Sequence, residues 1–442
     1  MPLSCLNPYP ELRLTNGGTT GGSITANLTA GTYYVHVTPT AITGNPLYAN
    51  KNYYTLTLQP HKATNTVTVA ARDTIDANSA DYRATGVNDQ DVINRAIADV
   101  GKQGGGTVLL LAGTFNISSN VLILSDNITL SGVGWSTVLR LANNTLLPNA
   151  GMLRSTHPRS ADAIAFPRFT NQRFLHMRLN GNKANGTAFK NSYGNYGTYS
   201  DSSFEDIRIH DFPHYGFDPH ENSYVAMPTI RLTIADSLSD HNGVDGMTTD
   251  NCEDSTFVNN ILDSNNRHGI NVVTASKNNI YKNNVVTNNL GNGITVQAGS
   301  DLSRTSDGNK IVANTVQGNQ QDGIYVLRSQ QTEITGNTVV SNGRHGIHLR
   351  SASSNTVDSN TVNDNGLIAL NTYIGIFLDD DATVFSTKNL VQNNLIRATT
   401  SNRYKYGIAE REARDNFNTL INNTIQGISI PIRLLGPNST KQ

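Results

Sequence analysis

The stretch Gly269-Ile270-Asn271-Val272-Val273-Thr274-Ala275-Ser276-Lys277-Asn278-Asn279-Ile280-Tyr281-Lys282-Asn283-Asn284-Val285-Val286, followed within ten residues by Gly293-Ile294-Thr295-Val296, decides the fold. It joins two signals that recur along the second half of the chain. A small apolar triplet follows glycine at Gly246, Gly269, Gly293, Gly323, Gly346, Gly375 and Gly407, in steps of 23, 24, 30, 23, 29 and 32 residues. An asparagine precedes a β-branched or apolar pair at Asn260, Asn284, Asn314, Asn337, Asn360, Asn394 and Asn423. One such unit cannot bury its own apolar residues, but stacked units about 4.8 Å apart can. A period in the twenties with short strands and almost no helical patterning therefore predicts an all-β chain, a right-handed parallel β-helix from about residue 203 onward. The recurring asparagine should stack on itself, each amide donating to the next and satisfying backbone groups in the turns.

Upstream, residues 89–101 show helical periodicity, with Val92, Ile93, Ala96, Ile97 and Val100 on one face, Asn88 or Asp89 placed to cap the start and Gly104-Gly105-Gly106 beyond the end. This helix, the only convincing one in the sequence, should cover the N-terminal end of the solenoid, where strand edges would otherwise be bare. Residues 1–60 read as a few strands with glycine-rich turns and 61–72 as a linker, leaving 73–442 as the parallel β-helix domain.

The 442 residues carry 33 Lys+Arg against 34 Asp+Glu, so no global field points to nucleic acid or a membrane surface, and no apolar run approaches a membrane span. Charged residues make up only 15 %, with Asn, Thr, Ser and Gly at the polar positions, a profile that suits a secreted β-rich protein. Met1-Pro2-Leu3-Ser4-Cys5 lacks the basic start and apolar core of a signal peptide, so secretion would use another signal. Of the two cysteines, Cys5 and Cys252, the second reads as a small buried filler. The run Asp379-Asp380-Asp381 reads as a solvated loop.

The richest chemistry lies in Tyr215-Gly216-Phe217-Asp218-Pro219-His220-Glu221, which holds a phenol, two carboxylates and an imidazole in one coil. The next coil carries Asp245-Gly246 and Asp250, and the one after carries Asn266-Arg267-His268-Gly269. Stacking would present Tyr215, Asp218, His220, Asp250, Arg267 and His268 on one face. That set suits proton abstraction next to a carboxylate, in which a cation or a protonated acid neutralises the carboxylate while a base takes the proton. Each residue also has a plainer role open to it: Tyr215 as a packed aromatic, His220 as a turn histidine, Asp250 as a turn cap or a structural partner of Arg267. Phe217, Ile270 and Val272 read as core.

These segments, with Gly104-Gly105-Gly106-Thr107-Val108, Gly151-Met152-Leu153-Arg154-Ser155, Asn180-Gly181-Asn182 and Ile432-Arg433-Leu434-Leu435-Gly436-Pro437, resemble the catalytic A-module of the secreted bacterial mannuronan C5-epimerases, over about residues 73–442. The segment around Leu28-Thr29-Ala30-Gly31-Thr32-Tyr33-Tyr34-Val35 is similar to part of a bacterial pre-peptidase C-terminal β-sandwich. The first resemblance implies conversion of β-D-mannuronate to α-L-guluronate within alginate. It implies Tyr215, Asp218, His220 and Asp250 as catalytic residues and Arg154, Lys190, Arg267 and His268 as substrate-binding ones. His220 would remove H5 and Tyr215, partly ionised by nearby cations, would donate on the opposite face; the reverse assignment stays open. Alginate lysis shares the first step, and a non-catalytic polysaccharide-binding β-helix is the reading from a different class. The resemblance implies no organic cofactor, a monomer, an extracellular setting and calcium at a site the sequence does not identify. Gly-Gly-x-Gly-x-Asp calcium repeats are absent from the sequence. The loop Lys183 to Tyr199 and the insert Ser223 to Pro228 depart from the family pattern, and the insert should lie beside the groove. Gln321-Asp322 stands where some members carry arginine.

Overall fold

The computed structural model describes residues 65–75, 77–148, 150–185 and 192–442, all within the unit spanning His61–Gln442. Expectations for residues 1–60, including Cys5, and for Lys190 lie outside the described residues. Strands of two to eight residues stack in parallel from Thr66–Ala70 to Thr440–Lys441. One strand register shows how coils are built: Ile234, Phe257, Tyr281, Ile311, Ile334, Val357, Val391 and Leu420 lie directly above one another and are buried. A second inward stack of Leu262, Val286, Val316, Val339, Val362 and Ile396 lines another face. The eight-stranded sheet from Met247–Asp250 to Ile432–Arg433 closes the third. The glycine–apolar triplets supply the inner residues of that sheet, Met247, Ile270, Ile294, Ile324, Ile347, Ile376 and Ile408.

The asparagine periodicity has the expected physical meaning. Along Asn260, Asn284, Asn314, Asn337, Asn360, Asn394 and Asn423 each side-chain amide donates to the next side-chain carbonyl, at 2.9–3.1 Å. A second ladder runs through Asn242, Asn265, Asn289, Asn319, Asn342 and Asn365 and ends on the Tyr404 hydroxyl. Each carbonyl also accepts a backbone N–H from the coil below, as Asn314 does from Asn284 at 2.8 Å. The residue before each ladder asparagine sits in the left-handed region, for example Asn259, Asn283, Ser359 and Asn393. That conformation turns the chain sharply enough to aim the next amide inward. The recurring glycine answers a different need, close packing: a Cβ at Gly293 would lie 2.7 Å from the Gly323 carbonyl and 2.9 Å from the Asn319 amide.

Helix α1, Gln90–Lys102, buries Val92, Ile93, Ala96, Ile97 and Val100 and packs on the strands Thr66–Ala70, Gly106–Leu110 and Val121–Leu122. Asp89 does not cap it. Its carboxylate instead accepts N–H groups of Gly86 and Asn116, tying the helix start to the neighbouring strand. A second, one-and-a-half-turn helix, α2, spans Ser160–Ala165, six residues that are too few to show a helical period. Strand Thr66–Ala70 falls in the segment expected to be a linker (61–72). It pairs with Gly106–Leu110, so the solenoid starts before residue 73. Asp379 and Asp380 are buried rather than solvated: Asp379 pairs with His348 and Arg411, while Asp381 pairs with Arg328. The charge run is neutralised by cations from other coils, which a linear reading does not reveal.

Candidate active site

Parallel register places the groove residues. Leu153–Ser155 pairs with Asn195–Gly197, aligning Arg154 with Tyr196. Gly197 pairs with Pro219, Phe217 with Met247 and His220 with Asp250, and Met247–Asp250 pairs with Ile270–Val273. One outward column therefore reads Arg154, Tyr196, Asp218, Thr248, Asn271, with His220, Asp250 and Val273 in the next column along. Phe217, Ile270 and Val272 point inward and are fully buried, and Cys252 is buried as a free thiol. The outward residues line a groove of about 750 Å³ together with Tyr193, Tyr215, Arg267, Thr274 and Gln297.

Tyr215 sits on the turn before this column. Its ring packs on Tyr193 (centroids 5.1 Å apart) and His214 (4.0 Å), with the Arg267 guanidinium 5.6 Å from the ring centroid. An Arg267 N–H lies 3.4 Å from the phenol oxygen. Burial, with help from the Asp245 charge, pushes the Tyr215 phenol up to about 12, and Arg267 offsets only part of this. The phenol is therefore neutral near pH 7, against the expectation of partial ionisation. Arg267 does not pair with Asp250. It donates from Nε (2.7 Å) and Nη2 to Asp245, a fully buried carboxylate that also accepts the His268 backbone N–H at 2.9 Å. Burial alone would raise Asp245, but the Arg267 bonds and neighbouring positive charge hold it below the usual range.

Asp218 is 1 % exposed and Asp250 is half-buried, and one carboxylate oxygen of each has no partner. Burial pushes Asp218 up to about 7, with the Asp250 charge adding to it and His220 opposing it. Burial also raises Asp250. His220 Nε2 faces Asp250 Oδ2 at 3.4 Å, and its Nδ1–H donates to the Glu221 carbonyl at 2.8 Å. That second bond fixes the neutral tautomer: the proton stays on Nδ1, which leaves the lone pair on Nε2, beside Asp250 in the groove lining. Burial works against a charged His220, but the Asp218 and Asp250 carboxylates outweigh it and raise its affinity for protons. The three groups therefore titrate as a unit.

Arg154, Tyr215, Asp218, His220, Asp250 and Arg267 thus come together as expected. His268 does not join the lining. Its Nδ1 accepts the Asn292 N–H at 3.0 Å, and burial lowers its proton affinity, so it is an uncharged turn residue and not a groove cation. Arg154 is 6 % exposed, donates to the Thr156 carbonyl at 2.8 Å and lies 4.9 Å from the Tyr196 ring centroid. Tyr193, Tyr196 and Asp245 were not picked out as site residues. Tyr196 precedes Asp218 by 22 residues, one coil step, and that spacing was the signal available. Tyr224 of the insert Ser223 to Pro228 is exposed, and its hydroxyl bears electrostatically on Arg154 and Tyr196, which puts the insert next to the groove.

For a metal, one group of three side chains among the described residues has ligand atoms close enough to share an ion: Asp322, His345 and His348. It does not fit calcium, which takes oxygen ligands. His348 is already bridged to Asp322 and Asp379 at 3.0 Å each, and His345 Nδ1 accepts the Ile374 N–H. Among the described residues, no helix is long and apolar enough to cross a membrane.

The solenoid matches the family described as "Right handed beta helix region" over residues 127–307 and 302–435. Mannuronan C5-epimerase AlgE6 of Azotobacter vinelandii is 35 % identical over 388 residues, 83 % of this chain and 43 % of AlgE6. Mannuronan C5-epimerase AlgE4 of the same organism is 34 % identical over 386 residues, 83 % of this chain and 67 % of AlgE4. The solved A-module of AlgE4 superposes with a TM-score of 0.71 at 28 % identity, covering 81 % of this chain and 96 % of that module. Alginate lyase 7 of Azotobacter vinelandii is 32 % identical over 215 residues, 45 % of this chain and 24 % of the lyase. The chain belongs to the mannuronan C5-epimerase family of right-handed parallel β-helix proteins. It spans less than half the length of AlgE6.

Proposed function

We propose that this protein is a mannuronan C5-epimerase, an isomerase that converts β-D-mannuronate residues to α-L-guluronate within polymeric alginate, acting as a secreted monomer. The observation that carries this reading is one groove with a neutral phenol, a tautomer-fixed imidazole and a buried carboxyl of raised proton affinity between them.

H5 of a uronate is too weakly acidic to leave while its carboxylate is fully charged. Asp218, holding a proton near neutrality, donates it to the substrate carboxylate, and Arg154 beneath adds positive charge. A polyanion entering the groove raises Asp218 further and favours this state. His220 Nε2 then takes H5, and the electron pair moves into the carboxyl group as an enediol(ate). Tyr215 returns a proton to C5 from the opposite face, and the configuration inverts. The phenolate left behind is stabilised by Arg267, 3.4 Å away. As the enediol collapses the sugar carboxyl returns its proton to Asp218, and exchange with solvent moves the surplus proton from His220 and restores the one lost by Tyr215. The active form needs a proton on Asp218 and none on His220 Nε2, so activity against pH should be bell-shaped.

If the pair instead expels the C4 oxygen, the glycosidic bond breaks and an unsaturated sugar forms; the similarity to an alginate lyase gives this second outcome its weight. Incubating polymannuronate with the protein tests the choice. Guluronate anomeric proton signals without ultraviolet absorbance from unsaturated ends support epimerisation. Absorbance rising without guluronate signals makes the protein a lyase, and neither change leaves a binding module.

A further inference from the structure

The loop between the strands Ile294–Val296 and Lys310–Val312 belongs to one of the longer coils and folds back over the groove edge, where Gln297, Gly299 and Ser300 line it. From this loop Arg304 reaches across 83 residues of sequence to Glu221, making a two-pronged contact: Nη1 to Oε1 at 3.0 Å and Nη2 to Oε2 at 2.6 Å. Asn251 donates a further bond to the same carboxylate at 2.8 Å. Glu221 is 7 % exposed and is held on both oxygens. Its backbone carbonyl is the acceptor of the His220 Nδ1–H. The side-chain clamp therefore fixes the peptide unit that decides which nitrogen of His220 carries the proton. The groups facing His220 are Asp218, Asp250 and the Tyr196 hydroxyl, besides Glu221 itself.

We infer that Arg304 is a positioning residue: by clamping Glu221 it holds the Glu221 carbonyl against His220 Nδ1 and so keeps Nε2 free to act as the base. This rests on the epimerase reading for its catalytic consequence, but not for its structural one. Arg304 makes no contact with the reacting atoms in this role. Two-pronged arginine–carboxylate geometry is what lets it act, because it fixes orientation as well as charge. Removing it would also leave the Glu221 charge uncompensated next to Asp250 and His220, where that charge raises both.

The test compares wild type with Arg304→Gln and Arg304→Lys by nitrogen-15 NMR of the His220 ring, recorded above its titration. Wild type should show one tautomer, protonated at Nδ1. Arg304→Gln should show a mixture with a substantial Nε2–H fraction, and Arg304→Lys, which keeps charge but loses the fork, should fall between. If Arg304→Gln does not fold, Arg304→Lys carries the same readout alone. An unchanged single tautomer in the variants overturns the inference. Turnover on polymannuronate gives the second reading: kcat should fall about 10- to 100-fold with KM nearly constant, and the acidic limb of the pH profile should move to higher pH. A raised KM with unchanged kcat would make Arg304 a cation for the polymer and refute the positioning role. If wild type proves inactive, the epimerase reading fails, yet the ring tautomer still decides the inference.

Discussion

Replacing Tyr215 with phenylalanine separates catalysis from folding with a single oxygen atom. The ring keeps its packing against Tyr193 and His214 and its place beneath Arg267. The hydroxyl accepts from an Arg267 N–H at 3.4 Å, beyond good hydrogen-bond length. Its loss should cost under about 1 kcal/mol of stability, since a net hydrogen bond of ordinary geometry contributes about that much. Arg267 keeps its stronger contacts to Asp245, so the groove wall stays in place. Loss of a general acid costs about 10²- to 10⁴-fold in rate, equivalent to about 2.7–5.4 kcal/mol of barrier. The barrier should thus suffer several times more than the fold. Guluronate formation followed by proton NMR gives the rate, and circular dichroism with thermal melting gives the stability. Wild-type turnover in Tyr215→Phe would refute the role. A collapse of the β-sheet signal parallel to the activity loss would show instead that the phenol is a structural element.

Three further outcomes follow from the geometry. Asp218→Asn should abolish turnover yet stabilise the protein at pH 8. A carboxyl raised from 3.8 to about 7 makes the folded state bind more protons than the unfolded one between those values, so stability falls as pH rises through that window. The variant should flatten that fall, by on the order of a few kcal/mol, in denaturant titrations at pH 4.5 and 8; equal pH dependence in variant and wild type would count against a buried, proton-holding Asp218. Asn314→Ala should destabilise the solenoid by about 3 kcal/mol, because it removes four bonds of 2.8–3.0 Å, those to the Tyr281 carbonyl, the Asn337 side-chain carbonyl and the backbone and side-chain N–H groups of Asn284, and leaves the buried Asn284 backbone N–H without its acceptor. Urea unfolding measures this, and a loss under 1 kcal/mol would mean water replaces the ladder. His268→Gln should keep most of its activity, since the imidazole is an uncharged acceptor for Asn292 and is absent from the groove lining. A large rise in KM would restore it as a substrate cation.

Sequence carried the solenoid well because each coil repeats two local physical demands, an amide that must pair with the next amide and a corner too tight for a Cβ. Asn260 and Gly293 announce their roles without any neighbour in view. The Tyr215–His220 segment was legible for the same reason: its phenol, carboxylate and imidazole lie in one coil. Register then adds what linear reading lacks. Tyr196 falls beneath Asp218 only once Gly197 is known to pair with Pro219. Arg304 has no local mark at all, because its partner Glu221 is reached by a loop folding back over the groove edge. His268 looked like a cation because its residue type and place beside Arg267 suggested one. The Asn292 N–H that occupies its ring nitrogen comes from the next turn. Strand Thr66–Ala70 escaped because five residues of alternating Thr and Val between polar stretches carry too little pattern to distinguish strand from linker.

Exposing polymannuronate to the protein in deuterated water and following the C5 position by proton NMR reads the proposed proton exchange directly. Abstraction by one residue and return from another predicts deuterium at C5 of every newly formed guluronate residue, appearing at the rate of inversion. Guluronate that retains its original hydrogen throughout, or a polymer that gains neither label nor inverted residues, would contradict it.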